Sequence, residues 1–368
     1  MPECKKIFIN ASTVKYSGGL YIGLDIIRTL IECREFKIML VCPRIPAYKE
    51  FEKLVTIRYV PEFFYFYLFR PILDFIRIRK YINKFNPDKI ISLGNLPAVS
   101  RFYQIFFHDN AFISGNYKNL IKLGLIQKIR RRIFNSRLKY VDKIIVQTQL
   151  EKQNLEISFS DLPVVKVIPP MLPSHLLIKT PIKEYSHVNS GFQKILCLSR
   201  YYRHKNIEIL YEAAELCYNK LLPVQFIITV DTSQGRKARQ LLQKIKKNDF
   251  GKRIINIGEI KREHLSAVIN KVDAFILPSL VETFGLNCIE AWYFSKPLFI
   301  ADLPYARHIC NDAAVYFDPF DADNLTDQII KYSNHTPETE KILKNGKEKL
   351  NSLSKPEDII ELMKSDRS

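Results

Sequence analysis

The sequence predicts an α/β protein built from two doubly wound parallel sheets, and three observations support this prediction. Short runs rich in β-branched and aromatic residues alternate with longer helical patterns along the chain, which is typical of parallel α/β proteins. The 368 residues are enough for two domains, each with its own core. A proline-rich segment at residues 169–173 indicates a hinge between them.

Candidate strands occur in both halves of the chain. In the first half we predict strands at residues 6–10, 36–42, 55–60, 89–93, 104–108, 143–148 and 164–168. In the second half we predict strands at residues 194–199, 224–230, 254–258, 274–278, 297–301 and 314–317.

The domain boundaries follow from composition. Residues 171–190 lack clear periodicity and a continuous apolar face, so we expect a linker there, between an N-terminal domain over 1–170 and a C-terminal domain over 191–354. Residues 355–368 are expected to form a short C-terminal helix that begins at Pro356.

The composition is that of a folded protein with a basic N-terminal half. Hydrophobic residues make up 47% and charged residues 26%, which excludes a disordered or collagen-like chain. The net charge is +18, and residues 1–170, with 28 basic and 14 acidic residues, carry +14 of it. This asymmetry favours an anionic partner such as a membrane surface, nucleic acid or a phosphorylated substrate.

Cysteine usage and hydropathy indicate a cytoplasmic protein. The seven cysteines are scattered singly and form no C-x-x-C pair, as expected in a reducing compartment. We expect no signal peptide, because the N-terminus lacks a long apolar stretch, and no spanning segment, because the most apolar run, 63–69, is too short. Peripheral attachment to the inner face of the plasma membrane is compatible with the basic half.

Two glutamates flank a predicted helix start in the second half. Glu282 and Glu290 are separated by seven residues, and Phe284, Gly285 and Leu286 lie between them after a buried strand. Backbone amides at a helix N-terminus, approached closely because Gly285 has no side chain, can hold a phosphate. The two carboxylates can accept hydrogen bonds from sugar hydroxyls. Taken without this context, Glu282 is more often a loop charge or a cap, and Glu290 a surface helix residue.

Two cations follow the first strand of the second half. Arg200 and Lys205 occupy the carboxyl end of a parallel strand, where α/β folds bind ligands. Fixed cations stabilise negative charge that grows on a departing diphosphate. The alternative is a solvated charge run in a lysine-rich protein.

At this point the sequence resembles the retaining glycosyltransferases of family 4, which have the GT-B fold. Three co-linear segments carry the resemblance: LCLSRYYRHKNIEILYEAAELC, IINIGEIKREHLSAVINKVDAFILPSLVETFGLNCIEAW and AAVYFDPFDADNLTDQI. The resemblance implies two Rossmann-like domains facing each other across a cleft, with the donor sugar nucleotide held mainly by the C-terminal domain and the acceptor by the N-terminal one. It also implies transfer with retention at the anomeric carbon.

The resemblance assigns roles to residues of this chain. Glu282 matches the glutamate that contacts the donor sugar, Glu290 the one that binds the donor ribose, and Arg200 and Lys205 the cations on the diphosphate. We therefore expect catalytic residues His108, Asp109, Arg200, Lys205 and Glu282, and donor-binding residues Gly18, Gly19, Arg200, Lys205, Glu282, Phe284, Gly285, Leu286 and Glu290.

The N-terminal candidates have a weaker sequence signal. Gly18 and Gly19 open a helix after the first strand, as the family's glycine loop does, but the fuller G-x-G-x-x-G pattern is absent and a simple turn is the alternative. His108 and Asp109 close a strand, where the resemblance implies a histidine near the transferred sugar. Taken alone, a histidine on an apolar strand is more often a core residue.

No metal site is expected. Asp321 and Asp323 match a bare D-x-D pattern, but they precede a helical run, where an aspartate is a good N-cap. No other cluster has the spacing of metal ligands, so we expect neither a metal nor another cofactor, with the nucleoside diphosphate sugar as a substrate.

Residues 111–140 combine basic and apolar side chains without an acidic residue. The basic residues are Lys118, Lys122, Lys128, Arg130, Arg131, Arg132, Arg137 and Lys139, and the apolar ones are Leu120, Ile121, Leu125, Ile126, Ile129 and Ile133. The spacing predicts a basic amphipathic helix that can rest on anionic lipid headgroups. Packing of the apolar face into the core, with a solvated basic face, is the alternative.

The sequence therefore predicts a retaining glycosyltransferase that moves a hexose-type sugar to a glycan or lipid-linked glycan, in bacterial surface polysaccharide or lipopolysaccharide assembly. Two alternatives stay open. One is a GT-B epimerase or hydrolase that acts on the sugar nucleotide without an acceptor. The other is a basic nucleic-acid-binding protein, although no recognisable RNA- or DNA-binding motif supports it and we expect no nucleic-acid partner.

Overall fold

A computed structural model describes residues 4–61, 73–115, 117, 120–121, 124–178, 191–248, 250–332 and 336–365. The chain forms two compact units. The N-terminal unit contains residues up to Pro173 together with the segment from Ser354 onward, and the C-terminal unit spans Ser174–Leu353.

The described part of the N-terminal unit contains a seven-stranded parallel sheet in the order β3-β2-β1-β4-β5-β6-β7. Its strands are β1 (Lys5–Asn10), β2 (Phe36–Pro43), β3 (Thr56–Val60), β4 (Lys89–Leu93), β5 (Gln104–Phe107), β6 (Lys143–Val146) and β7 (Val164–Val167). The central strand β4 is buried along its whole length, as expected for a parallel sheet covered on both faces.

Helices cover both faces of this sheet. They are α1 (Ser17–Glu32), α2 (Arg79–Phe85), α3 (Ala111–Ser114), α4 (Leu125–Arg137) and α5 (Gln149–Ser158), with 3-10 turns at Pro46–Phe51 and Leu138–Tyr140. In α1 the buried residues Leu20, Leu24 and Ile27 recur at helical spacing and pack against the sheet.

A buried ion pair joins two of these elements. A π-helical segment at Leu73–Ile78 leads into α2 and contains Asp74, which is fully buried. Arg137, the last residue of α4, places Nη1 2.6 Å from Asp74 Oδ2 and 2.9 Å from the Pro97 carbonyl oxygen. The pair therefore ties the C-terminal end of α4 to the segment before α2.

The described part of the C-terminal unit contains a six-stranded parallel sheet in the order β10-β9-β8-β11-β12-β13. Its strands are β8 (Gln193–Cys197), β9 (Val224–Ile228), β10 (Ile254–Asn256), β11 (Ala274–Leu277), β12 (Leu298–Ala301) and β13 (Val315–Phe317).

The described part of the C-terminal unit also contains seven helices. They are α6 (Glu208–Asn219), α7 (Arg236–Lys247), α8 (Leu265–Ile269), α9 (Leu286–Tyr293), α10 (Pro304–Cys310), α11 (Ala322–Tyr332) and α12 (Pro337–Lys349). Short 3-10 turns occur at Ser174–Leu177, Arg203–Lys205, Thr232–Gln234, Phe250–Lys252, Arg262–His264 and Leu350–Ser352. The core lies between the sheet and α6, around Phe226, Phe299 and Phe317.

The last helix, α13 (Pro356–Lys364), packs on the N-terminal unit. Ile359, Leu362 and Met363 join the core beneath α1. Lys89 Nζ donates to the Met363 carbonyl oxygen at 2.7 Å, so a buried lysine closes the C-terminal end of the helix.

The predicted fold class is confirmed. Each of the thirteen predicted strands is present, within three residues at either end. The apolar run 63–69 lies outside the described residues.

One detail of the predicted basic amphipathic helix is wrong. Within 111–140 the described helices are α3 and α4, and Arg137 does not belong to a solvated basic face, because it is buried against Asp74. Phe134 on α4 is also in the core. By contrast, Leu125, Ile126 and Ile129 on the same helix are exposed.

None of the helices in the described ranges has the length and apolar character needed to cross a membrane.

We expect Asp74→Leu to lower the free energy of unfolding by about 3–5 kcal/mol, because it leaves the Arg137 guanidinium buried without its counter-charge. Urea unfolding followed by circular dichroism measures the loss. The double variant Asp74→Leu/Arg137→Met should recover most of it. Asp302→Leu, which breaks an exposed pair with Arg307, should cost no more than about 1 kcal/mol. Equal effects of the Asp74 and Asp302 variants would contradict the interpretation.

Candidate active site

The C-terminal sheet has its switch point between β8 and β11, which are neighbours. From β8 the chain builds outward through β9 and β10, and it then returns to place β11 on the other side of β8. The carboxyl ends of β8 and β11 therefore meet at the point where the strand order reverses, which is where open α/β sheets bind ligands.

Lys205 and Glu282 lie on these two loops and form an ion pair between Lys205 Nζ and Glu282 Oε1. A backbone hydrogen bond of 2.7 Å from Leu280 N to His204 O fixes the loops beside the pair. Burial by itself raises the pKa of Glu282, but the Lys205 ammonium and its hydrogen bond outweigh burial and lower that pKa below its usual value. The site thus holds a carboxylate and an ammonium together in a partly buried place.

His204 is not a second cation in this place. Burial, with a smaller contribution from the Lys205 charge, lowers the pKa of His204 to about 4. Its ring stacks on Tyr202 with a centroid distance of 5.5 Å. At neutral pH the imidazole is therefore uncharged, and the positive charge of this turn belongs to Lys205 and the arginines beside it.

Arg200 lies on the same loop, and its Nη1 is 2.6 Å from Glu259 Oε1. Glu259 is more than half exposed, so this pair is open to solvent and an incoming anion can compete for the guanidinium. The structure thus joins Lys205 to Glu282 directly and places Arg200 a few residues away, in a separate ion pair.

The start of α9 lies where the sequence predicts an anion cradle. Gly285 has φ +80°, which favours glycine, and a Cβ there would lie 3.1 Å from Leu277 Cδ2. Phe284 is buried and anchors the turn, and Leu286 begins the helix. The amide end of α9, with its partial positive charge, therefore opens next to Glu282 in the chain.

Glu290 is buried, with 4% of its surface exposed, and is not the surface helix residue that the alternative described. Asn287 Nδ2 donates to its Oε2 at 2.7 Å, and His175 Nε2 lies 3.3 Å from its Oε1. Sequence reasoning missed His175, which is 115 positions away in the chain and belongs to no motif.

The N-terminal unit has a corresponding switch point between β1 and β4. A cavity of about 40 Å³ lies at this carboxyl edge. Gly19, Gly94, His108, Asp109 and Gln147 are among the residues that line it. The structure thus brings together three of the four residues predicted in this half.

Asp109 occupies the space beside Gly19. A Cβ built on Gly19 would lie only 2.5 Å from Asp109 Oδ2, so the absence of a side chain makes room for this carboxylate. Gly18 and Gly19 lie in the first turn of α1, whose partial positive charge favours a nearby anion. Burial raises the pKa of Asp109 above its usual value.

His108 has the environment of a core histidine. Its side chain is fully buried, its Nε2 lies 3.1 Å from Glu151 Oε1, and its ring contacts that of Phe134 at a centroid distance of 5.6 Å. Ser114 Oγ donates to the same oxygen of Glu151. The Nε2 side of the ring thus contacts Glu151 in the core, although the residue also lines the small cavity.

The D-x-D pair has the predicted structural role. Asp321 Oδ1 accepts a hydrogen bond of 2.9 Å from Asn324 N at the start of α11, which confirms the N-cap. Asp323 pairs with Lys220 at 2.9 Å on the surface. Across the described ranges, no group of three or more Cys, His, Asp or Glu side chains is arranged to hold a metal ion.

Two doubly wound parallel sheets, each with candidate ligand residues at its switch point, define a GT-B protein. The fold is shared over the whole chain with sucrose-phosphate synthase from Thermosynechococcus elongatus (TM-score 0.78, 18% identity, 98% of this chain and 97% of that one). It is also shared with Anabaena HepE in complex with UDP-glucose (TM-score 0.74, 14% identity, 98% and 100%). These likenesses concern the fold.

Residues 179–349 match the family model of the glycosyl transferases group 1. A curated relative is the O-antigen chain mannosyltransferase RfbU of Salmonella typhimurium, which is 24% identical over 108 residues, or 27% of this chain and 31% of that protein. The chain spans about a third of the length of the curated relatives it matches.

We expect Gly19→Ala to lower the melting temperature, because its methyl group would displace the Asp109 carboxylate. Gly23→Ala is a matched control one turn later on α1, where a Cβ would lie 3.4 Å from Leu93 Cδ1. That variant should be neutral or stabilising by up to about 1 kcal/mol. Removing the carboxylate in Gly19→Ala/Asp109→Ala should make the Gly19 change neutral too. If Gly19→Ala and Gly23→Ala have the same melting temperature, the close approach of Asp109 to Gly19 does not restrict residue 19 to glycine.

Proposed function

We propose that this protein is a retaining glycosyltransferase that moves a hexose-type sugar from a nucleoside diphosphate sugar to a glycan acceptor, in bacterial surface polysaccharide or lipopolysaccharide assembly. The C-terminal unit binds the donor and the N-terminal unit the acceptor. The observation that carries the proposal is the Lys205–Glu282 ion pair at the switch point, next in the chain to the amide end of α9.

The positively charged groups of the site bind the diphosphate of the donor, and the carboxylates bind its hydroxyl groups. The amide end of α9 and the Lys205 ammonium bind the diphosphate, and Arg200 exchanges its exposed partner Glu259 for a phosphate oxygen. Glu282, kept ionised by Lys205, accepts hydrogen bonds from sugar hydroxyls. Glu290 accepts hydrogen bonds from the ribose.

The reaction exchanges one bond at the anomeric carbon for another on the same face of the sugar. The bond from this carbon to the β-phosphate oxygen breaks, and the bond to the acceptor oxygen forms. The acceptor proton goes to the departing phosphate oxygen. Because Lys205 is held in place before the donor binds and Arg200 joins the diphosphate on binding, both cations stabilise the growing charge on the diphosphate without a metal ion.

The N-terminal unit positions the acceptor. Asp109 and Gln147 line the small cavity at the carboxyl edge of the sheet and offer acceptor atoms for hydroxyl groups. His108, whose side chain contacts Glu151 in the core, forms part of the wall of this cavity.

Two similar proteins support the substrate classes. RfbU is named as an O-antigen chain mannosyltransferase, and HepE has been determined with UDP-glucose. A nucleoside diphosphate hexose and a surface glycan are therefore the first donor and acceptor to test.

We expect one of UDP, GDP, ADP, CMP or their common sugars to raise the melting temperature selectively, with or without EDTA. A ligand at 100 times its Kd stabilises by about 2.7 kcal/mol. Lys205→Met and Glu290→Gln should each weaken binding at least tenfold, because each removes a charged partner of the ligand. Lys220→Met, which removes an exposed lysine elsewhere on the C-terminal unit, should leave binding unchanged.

Product analysis separates the proposal from its alternatives. A transferase forms a glycoside only when an acceptor is present, whereas an epimerase or hydrolase changes the sugar nucleotide without one. Oligonucleotide binding that falls steeply with salt, without sugar-nucleotide binding, would favour the nucleic-acid alternative instead. Unchanged binding and transfer in Lys205→Met and Glu290→Gln would refute the site.

The second part of the proposal is peripheral attachment to an anionic membrane through α4. Leu125, Ile126 and Ile129 are 72%, 55% and 42% exposed on this helix. Lys128 and Arg132 are exposed beside them. A helix that exposes apolar and basic side chains together suits the headgroup boundary of an anionic bilayer, where a lipid-linked acceptor would be found.

We expect the protein to sediment with phosphatidylglycerol vesicles and much less with phosphatidylcholine vesicles. Ile126→Ser/Ile129→Ser should reduce sedimentation at least tenfold, because it removes the apolar contact with the bilayer. Ile157→Ser is the control, since Ile157 is 85% exposed on α5 of the same unit. Equal binding of all three proteins would exclude α4 as the contact.

A further inference from the structure

His175 is the first buried side chain after the chain enters the C-terminal unit. It lies in the 3-10 turn Ser174–Leu177, and its ring is fully buried. Leu176 beside it is also buried, and Ser266 Oγ on α8 donates to the Ile178 carbonyl oxygen at 2.7 Å. The turn that carries His175 is thus fixed by contacts of its own.

His175 and Asn287 hold the two oxygens of the Glu290 carboxylate separately. His175 Nε2 lies 3.3 Å from Oε1, and Asn287 Nδ2 lies 2.7 Å from Oε2. In the tautomer that carries its hydrogen on Nε2, His175 donates to this carboxylate oxygen. With one donor on each oxygen, rotation of the carboxylate plane is restricted.

This arrangement leaves capacity for a ligand. Each carboxylate oxygen can accept two hydrogen bonds, and the contacts described here use one on each. The two remaining acceptor positions suit a pair of neighbouring hydroxyl groups. A buried carboxylate without donors would instead be strongly disfavoured in its ionised form.

We propose that His175 is a positioning residue that holds Glu290 in the orientation needed to bind the two ribose hydroxyls of the donor nucleotide. The inference rests on the proposed function and adds a specificity residue to it. We expect its effect on the donor to be on the ribose hydroxyls, because the contact through which His175 acts is with the Glu290 carboxylate.

Two polar substitutions of His175 form a matched pair. In His175→Gln the side-chain amide reaches the place of Nε2 and can still donate to Glu290 Oε1. In His175→Asn the amide reaches only the place of Nδ1, so the donor to Glu290 is lost. Both variants keep a polar amide in the same turn, which makes their effects on folding comparable.

The test is calorimetric titration of the full chain with the nucleoside diphosphate selected in the thermal-shift panel and with its 2′,3′-dideoxy counterpart. We expect the wild type to bind the ribose form at least about tenfold more tightly than the dideoxy form. His175→Asn should lose this preference while binding the dideoxy form with unchanged Kd. His175→Gln should keep most of it, and Glu290→Gln combined with His175→Asn should lose no more than either alone.

The remaining outcomes overturn the inference in distinguishable ways. If His175→Asn weakens both nucleotides equally, or both variants behave alike, His175 has only a structural role. If the wild type binds the two forms equally, Glu290 does not bind the ribose, although donor binding itself stands. If the wild type binds no nucleoside diphosphate, the proposed function fails and the inference fails with it.

Discussion

The arrangement of β8 beside β11 is the constraint on which the candidate site depends. Because the chain changes direction in the sheet between these strands, Lys205 and Glu282 meet although they are far apart in sequence. The hydrogen bond from Leu280 N to His204 O then holds the two loops together. Opposite charges fixed side by side in a partly buried place need little reorganisation when a ligand with both phosphate and hydroxyl groups binds.

Much of the fold follows from local sequence pattern. The strands of both units are short runs of Ile, Val, Leu and Phe between helical patterns, and this alternation does not depend on contacts between distant residues. The strand and helix on either side of Glu282 and Gly285 were predictable for a similar reason, because they are consecutive in the chain. The conformation of Gly285, with φ +80°, agrees with the close approach expected there.

The features that sequence could not supply depend on packing between distant segments. Arg137 looks like one more cation in a basic run, and only its burial against Asp74 gives it a structural role. From the sequence, glycines at the start of α1 predict room for a ligand, but the Asp109 carboxylate occupies the space beside Gly19. His175 has no recognisable neighbours in sequence, so its contact with Glu290 could be found only from the folded structure.

In the described part of each unit, a buried histidine contacts a buried glutamate, and the two contacts differ in how the glutamate oxygens are used. In the N-terminal unit, one oxygen of Glu151 accepts from both His108 and Ser114, so the histidine contact closes a local network around the start of α5. In the C-terminal unit, Glu290 receives its two donors on separate oxygens, and it lies on the helix that starts beside the switch point. The burial of the two pairs is similar. Their difference is the distribution of donors: the described contacts use one acceptor position on each oxygen of Glu290, which agrees with the proposed binding of a diol at the remaining positions.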